Sequence, residues 1–401
     1  MSKGYVLSGL KNIAFNLYWY SRESSLLTLP PKVASVFVWF ILSKILSRFV
    51  RKKDDKITVA FTSIYFNGNA RAVYEYLERN KKYDCYWIAR NIVTFKYLRK
   101  LKKPVIYLCF PFAASNLVAN TSVLVTNDSY LRFIFGKKIK TVQLWHGEGG
   151  KGASKPDIPG IQCVPSQYIK KRYIELWNID PEKLFVTGYA RMDFLYRYLN
   201  IPRKYLLREL SIREGRKIIL YAPTFDVGLW PWGDEYKGFE ELCRFCKERK
   251  LTLIIRLHPL AKVSKRKLRK IVKKYPNVHL YDMAKEPDTM KLLAVADILI
   301  TAWSSIDNEF FLTERPIIYL EKDKEFFVER RGKMKIPIEY RAGEVVSNVE
   351  EFYKALERVL ARGNAHKEKQ RRLLKLLHGR VDGKATERVV QIIEDYLRRD
   401  A

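Results

Sequence analysis

The sequence predicts an α/β protein of two facing, Rossmann-like halves preceded by a helical segment. Three observations carry this. From Lys56 onward, short runs rich in apolar and β-branched residues alternate with helical stretches, the pattern of a parallel sheet covered on both faces. A charged helical stretch over residues 195–215 divides that series into two similar ones. The 401 residues, 47% of them hydrophobic, suffice for two domains rather than one.

Residues 1–55 differ in pattern from the rest of the chain and are expected to form a membrane-associating helical segment. Tyr5 to Tyr20 is helical in pattern and rich in aromatics, Leu26 to Pro31 interrupts it, and Val33 to Leu42 carries no charge. Lys44, Arg48, Arg51, Lys52 and Lys53 come immediately after. The uncharged run is well short of the roughly 20 residues that span a bilayer. Aromatics and leucines beside clustered cations suit a segment lying in the interface of an anionic leaflet. A helical hairpin packed on the core is the plainer alternative.

In the N-terminal half, residues 56–200, strands are expected at Ile57–Thr62, Cys85–Ala89, Pro104–Leu108, Ser122–Thr126, Thr141–Trp145, Ile161–Val164 and Leu184–Thr187. Asn67-Gly68-Asn69 reads as a turn into a helix that runs to about Asn80. In the C-terminal half, residues 201–401, strands are expected at Lys217–Ala222, Leu251–Leu257, Val278–Tyr281, Ile298–Thr301 and Ile317–Leu320. Helices are expected at Glu235–Lys250, around 287–296 and 304–312, and through the highly charged end from about 348.

Lysine and arginine number 75 against 43 aspartates and glutamates, a formal net charge of +32, which implies an anionic partner: nucleic acid, an anionic membrane surface or a phosphate-rich substrate. Cys85, Cys109, Cys163, Cys243 and Cys246 are too few and scattered for a disulfide framework. With no cleavable signal pattern, they suggest a reducing, cytosolic setting. Cys243 and Cys246 form a lone C-x-x-C in a helical stretch, with no second pair and no nearby histidine, so they read as one helix face rather than a zinc site.

The stretch QLWHGEGGKG, residues 143–152, ends a short buried strand with His146 and a glycine-rich turn. That is where open α/β sheets bind ligands. Gly147, Gly149, Gly150 and Gly152 let backbone N–H groups cradle a phosphate, and Lys151 adds a point charge. His258 ends a second apolar strand in LTLIIRLHP, beside Arg256. An imidazole near pKa 6.5 can take a proton from a hydroxyl or hydrogen-bond a developing phosphate charge. Arg191 in TGYARMD, Thr224 in YAPTF, and Ser304 and Ser305 in TAWSSIDNEF are further polar groups at strand ends. The serines would begin a helix, where hydroxyls and free N–H groups suit a phosphate, although plain N-capping is the commoner use of serine there. His279 reads as structural, and His366 and His378, among cations on the terminal helices, as solvated. No P-loop, G-x-G-x-x-G, G-x-S-x-G or H-E-x-x-H motif appears, which removes support from hydrolase and nucleotide-kinase readings.

Taken together, these motifs resemble the CDP-glycerol glycerophosphotransferases, the teichoic-acid primases and polymerases. The similarity runs from about residue 56 to 395: WHG at 145–147 with Lys151, TGYARMD at 187–193, YAPTF at 221–225, RLHP at 256–259, the serines at 304–305, RPIIYLEKD at 315–323 and DGKATERV at 382–389. The resemblance implies a GT-B fold, CDP-glycerol between the halves, and monotopic attachment to the cytoplasmic membrane face. Carried over by motif, the donor contacts would be Trp145, Gly147, Glu148, Gly149, Arg191, Pro223, Thr224, Arg256, Leu257, Ser304, Ser305 and Glu309. The length, without room for the polymerases' large extra domain, suggests a primase. Four positions depart from the family pattern. Glu148-Gly149 stands where Thr-Pro is usual, Ala302-Trp303 replaces Asp-Tyr, Asp226 replaces a frequent Arg, and Glu309 replaces Asp.

The expected activity is transfer of glycerol phosphate, or a related polyol phosphate, from CDP-glycerol to a hydroxyl of a membrane lipid-linked glycan, as in teichoic acid biosynthesis. His146 would be the general base, and His258 and Arg256 would hold the diphosphate and stabilise charge on departing CMP. No cofactor is certain; Mg²⁺ is compatible with such a donor but has no ligand cluster to support it. A homo-oligomer stays open. A GT-B glycosyltransferase using a nucleotide sugar is the nearest alternative, since fold does not set function. A nucleic-acid-binding protein would explain the charge but lacks a recognisable motif, and a non-catalytic membrane scaffold would leave the strand-end histidines unexplained.

Overall fold

The structure is a computed structural model. It describes residues 57–108, 120–127, 139–148, 152–153, 155–225, 227–258, 261–330 and 332–398, together with Val38. Apart from Val38, the expected membrane-associating segment lies outside the described residues, as do Gly149, Gly150 and Lys151.

The first half comprises β1 (Thr58–Ser63), α1 (Gly68–Asn80), β2 (Asp84–Ala89), α2 (Ile92–Lys100), β3 (Val105–Tyr107), β4 (Thr121–Thr126), β5 (Lys140–Gln143), β6 (Gly152–Ala153), β7 (Ile161–Val164), α3 (Gln167–Trp177), β8 (Leu184–Val186) and α4 (Arg191–Leu199). Seven of these strands form one sheet in the order β3-β2-β1-β4-β5-β7-β8, and every pairing in it is parallel. The interior strand β1, TVAFTS, is buried at every position, as a strand covered on both faces must be. Phe66 meets Trp87 edge to face at 4.9 Å, and Tyr74 meets the same indole at 5.8 Å. These aromatics fasten α1 to the sheet.

Through α5 (Arg203–Glu209) the chain enters the second half: β9 (Ile218–Ala222), α6 (Glu235–Glu248), β10 (Thr252–Ile255), α7 (Lys265–Lys273), β11 (Val278–Leu280), α8 (Thr289–Val295), β12 (Ile298–Thr301), α9 (Ile306–Phe310), β13 (Ile317–Leu320), β14 (Lys333–Met334), β15 (Glu344–Val346), α10 (Val349–Arg362), α11 (Lys367–His378) and α12 (Ala385–Arg398). The sheet order is β11-β10-β9-β12-β13-β15, again parallel. The expected C-x-x-C lies on α6, where both thiols are fully buried with Phe239 and Leu242. Burial pushes the Cys246 thiol up to about 12, so it stays protonated and inert.

Two connections between the halves escaped the sequence. β6 pairs antiparallel with β14, so the exit of the glycine-rich turn is stitched to the second half. The terminal helices, grouped by sequence with the second half, cross back to the first. Asp193 on α4 accepts from the backbone N–H of Ala385 and Thr386 at 3.1 and 2.7 Å, seating the start of α12. Lys140 at the start of β5 donates to the carbonyls of Tyr396 and Leu397 at its end. This crossing also corrects the expectation for His378. It is buried on α11, 5.9 Å from the Tyr189 ring, rather than solvated. No helix among the described residues is long and apolar enough to cross a membrane.

Candidate active site

The site begins where β5 ends. Trp145 takes a left-handed conformation, φ 56°, which an indole-bearing residue adopts only when its surroundings impose it. Asn69, at the start of α1, supplies that constraint. Its amide nitrogen donates to the carbonyls of Leu144 and Trp145 at 3.0 and 3.1 Å, while its oxygen accepts from the Arg191 N–H at 3.0 Å. One buried side chain thus ties the β5 turn to α4. His146 stands exposed on that turn, its ring 4.4 Å from the Trp145 indole.

At Gly147 the halves touch. Its φ of 139° suits only glycine, and an added Cβ would run into Ser305 Oγ and approach Arg191 Nη2 at 3.1 Å. Arg191 forms an ion pair with Glu309, and both are buried. Burial pushes the Glu309 carboxyl upward, while the guanidinium pulls the other way. The Asn308 side chain donates to the Glu148 carbonyl. Gly147, Arg191, Ser305 and Glu309, which came from three separate motifs, are therefore neighbours in space.

Glu148 draws its partners from distant parts of the chain. Its carboxylate is buried, ion-paired with Lys335, and accepts hydroxyls from Tyr173 and Tyr189 at 3.1 and 2.6 Å. A carboxylate so engaged repays its desolvation through these partners. The Lys335 ammonium also lies 5.3 Å from the centre of the Trp145 ring and 5.5 Å from that of Tyr173. Nothing in the local sequence distinguished Lys335 from the lysines around it.

On the second half, Pro223 and Thr224 are buried where β9 ends, and Thr301 Oγ1 holds the Ala222 carbonyl at 2.9 Å. Leu257 is half-buried and His258 exposed beyond β10, with the imidazole 4.9 Å from the Phe225 ring. Ser304 Oγ accepts from the Ile306 N–H at 3.4 Å. The buried Arg256 guanidinium donates to the carbonyls of Tyr281, Glu286 and Pro287 and to Thr289 Oγ1, and burial lowers it to about 10. It anchors the 281–289 loop to the end of β10.

The sequence also missed Asp307 on α9. It accepts from the Tyr319 hydroxyl at 3.0 Å, and burial raises its carboxyl to about 7. Among the described residues no group of three or more His, Cys, Asp and Glu is placed to hold a metal ion.

A family model described as CDP-glycerol:poly(glycerophosphate) glycerophosphotransferase matches residues 44–395. The teichoic acid poly(ribitol-phosphate) polymerase of Bacillus spizizenii is 26% identical over 375 residues, which covers 86% of this chain and 57% of that protein. The teichoic acid ribitol-phosphate polymerase TarK of Staphylococcus aureus is 24% identical over 335 residues, covering 75% and 62%. This chain therefore spans about three fifths of the length of those two relatives. Other relatives are named as glycerol-phosphate polymerases and primases. Among solved structures, the wall teichoic acid polymerase TagF superposes with a TM-score of 0.69 at 16% identity, covering 92% of this chain and 96% of that one. The likeness establishes the GT-B fold.

Proposed function

As the chain belongs to the CDP-glycerol:poly(glycerophosphate) glycerophosphotransferase family, we propose that it transfers a polyol phosphate, most simply glycerol phosphate, from a CDP-activated donor to a hydroxyl of a lipid-linked glycan. The observation that carries this reading is the exposed His146 on a turn held rigid by Asn69, beside the junction of Gly147, Arg191, Ser305 and Glu309. A base on a fixed turn where two parallel α/β halves meet suits phosphoryl transfer, where positioning and charge stabilisation carry most of the rate.

In the proposed reaction His146 accepts the proton of the acceptor hydroxyl as the new oxygen–phosphorus bond forms. The bond from that phosphorus to the CMP oxygen breaks, and His258 stabilises the charge on departing CMP. Ser304, Ser305, Thr224 and Pro223 are the donor contacts of this reading, joined by Gly149 and Lys151 on the turn. The ion pair of Arg191 with Glu309 serves as the support of that pocket. Glycerol and ribitol are the two candidate polyols, the ones for which the related polymerases are named. Residues 1–55 would hold the protein to the anionic cytoplasmic face of the membrane, where a lipid-linked acceptor resides.

Nucleotide release from CDP-glycerol, CDP-ribitol, UDP-sugars and GDP-sugars, with a lipid-linked disaccharide as acceptor, tests the proposal. Acceptor-dependent CMP release is expected, and loss of it in His146→Ala. Release of UDP or GDP would instead assign a glycosyltransferase. The same assay after chelation and readdition of Mg²⁺ reads metal dependence directly.

A further inference from the structure

A groove of about 1310 Å³ opens between α3 and α11, beside the carboxyl ends of β7 and β8, and it contains none of the proposed donor or acceptor residues. Tyr168, Val186, Tyr340, Leu373 and Leu376 line it with apolar surface. Tyr168 and Tyr340, one from each half, face one another at 6.0 Å. Along one edge, α11 places Lys369, Arg372 and Lys375 in the lining, and Arg380 lies just beyond the helix; Glu339 is the lone acid there. The spacing 369, 372, 373, 376 puts cations and leucines on one helix face.

Three of these cations differ from their neighbours. Arg371, on another face of α11, is paired with Glu314 at 2.7 Å, and Arg380, in the lining itself, is paired with Asp382 at 2.7 Å. Lys369, Arg372 and Lys375 have no carboxylate partner among the described residues. Three like charges within two turns repel one another unless an anion lies between them. A hydrophilic polyanion would satisfy the charge but leave the tyrosines and leucines without use. A flat leaflet would satisfy both chemistries but not enter a concavity. An amphiphile with a phosphate head and an apolar tail matches all three features.

We propose that this groove binds a single phosphate-headed lipid from the membrane leaflet, its phosphate held by Lys369, Arg372 and Lys375 and its first methylenes laid on Tyr168, Tyr340 and Leu376. The site is independent of the transfer reaction, so it stands or falls separately from the proposed activity. The test titrates the full chain with dihexanoyl phosphatidate below its micellar concentration, with dihexanoylglycerol and glycerol phosphate as probes of the tail alone and the head alone. Phosphatidate should bind more tightly than either. The triple variant Lys369→Ser, Arg372→Ser, Lys375→Ser should weaken it by about tenfold or more, with circular dichroism and CMP release from a soluble acceptor analogue unchanged. Leu376→Ser should weaken phosphatidate while leaving glycerol phosphate unaffected. A double variant on the other faces, Lys367→Ser with Arg371→Ser, should bind as the wild type does. Equal affinity for glycerol phosphate and phosphatidate, or undiminished phosphatidate binding in the triple variant, would overturn the proposal.

Discussion

His146 stands exposed on a turn whose strain is carried by its neighbours, so its own side chain can be removed at little structural cost. His146→Ala is expected to lower acceptor-dependent CMP release by about 10²–10⁴-fold with an unchanged melting temperature; full-rate turnover would remove His146 from the chemistry. Lys335 behaves oppositely. Lys335→Met would strand the buried Glu148 carboxylate and should cost about 3–5 kcal/mol in urea unfolding. Adding Glu148→Gln should restore much of that loss, because the stranded charge disappears; strictly additive losses would show that the two are uncoupled. His378 supplies a pH signature. Burial, and then the nearby Arg191 charge, pull its imidazole down to about 3, against 6.5 unfolded. Its folded pKa is depressed, so the unfolded chain binds more protons between those values. Its contribution to stability is complete above pH 6.5 and is lost as pH falls toward 3. The melting temperature of the wild type should therefore fall relative to that of His378→Phe over this window, and a constant difference between the two would contradict the burial.

At the scale of elements, the stability of the site depends on segments distant in sequence. TGYARMD and DGKATERV, two motifs of the resemblance far apart in sequence, join where Asp193 receives the first N–H groups of α12. The carboxylate acts as a cap supplied by another helix, and the Arg388 side chain returns the tie by donating to the Thr187 carbonyl at 2.7 Å. Asp193→Ala should cost roughly 1–2 kcal/mol, seen as a lower urea midpoint. An unchanged midpoint would mean that α12 is seated by its apolar face alone, through Val389, Val390 and Ile393. The β6–β14 pair does similar work for the glycine-rich turn, aligning its exit with the strand that leads to Lys335.

For the whole molecule, the two parallel sheets meet where the turn beyond β5 touches the start of α9, and the formal charge of +32 favours anionic partners. If residues 1–55 lie on an anionic leaflet, deleting residues 1–50 should weaken flotation with anionic liposomes more than it lowers CMP release from a soluble acceptor analogue. Raising salt from 0.1 to 1 M shortens the screening length from about 10 to 3 Å and should weaken flotation further. Flotation indifferent to both changes would refute attachment through the basic N-terminal run.

The sequence by itself determined the alternation of strands and helices, the doubling into two sheets, and the strand ends bearing His146 and His258. Each of these is a local property: apolar runs of strand length, glycine-rich turns, and helical periodicity between them. What a buried polar side chain meets was decided only by the tertiary structure, because its partners lie far along the chain. Lys335 stands beside Glu148, the 281–289 loop closes around Arg256, and His378 read as solvated until α11 crossed the junction. A buried charge must find its counter-charge or carbonyls wherever the fold brings them, and no local pattern of residues records where that will be.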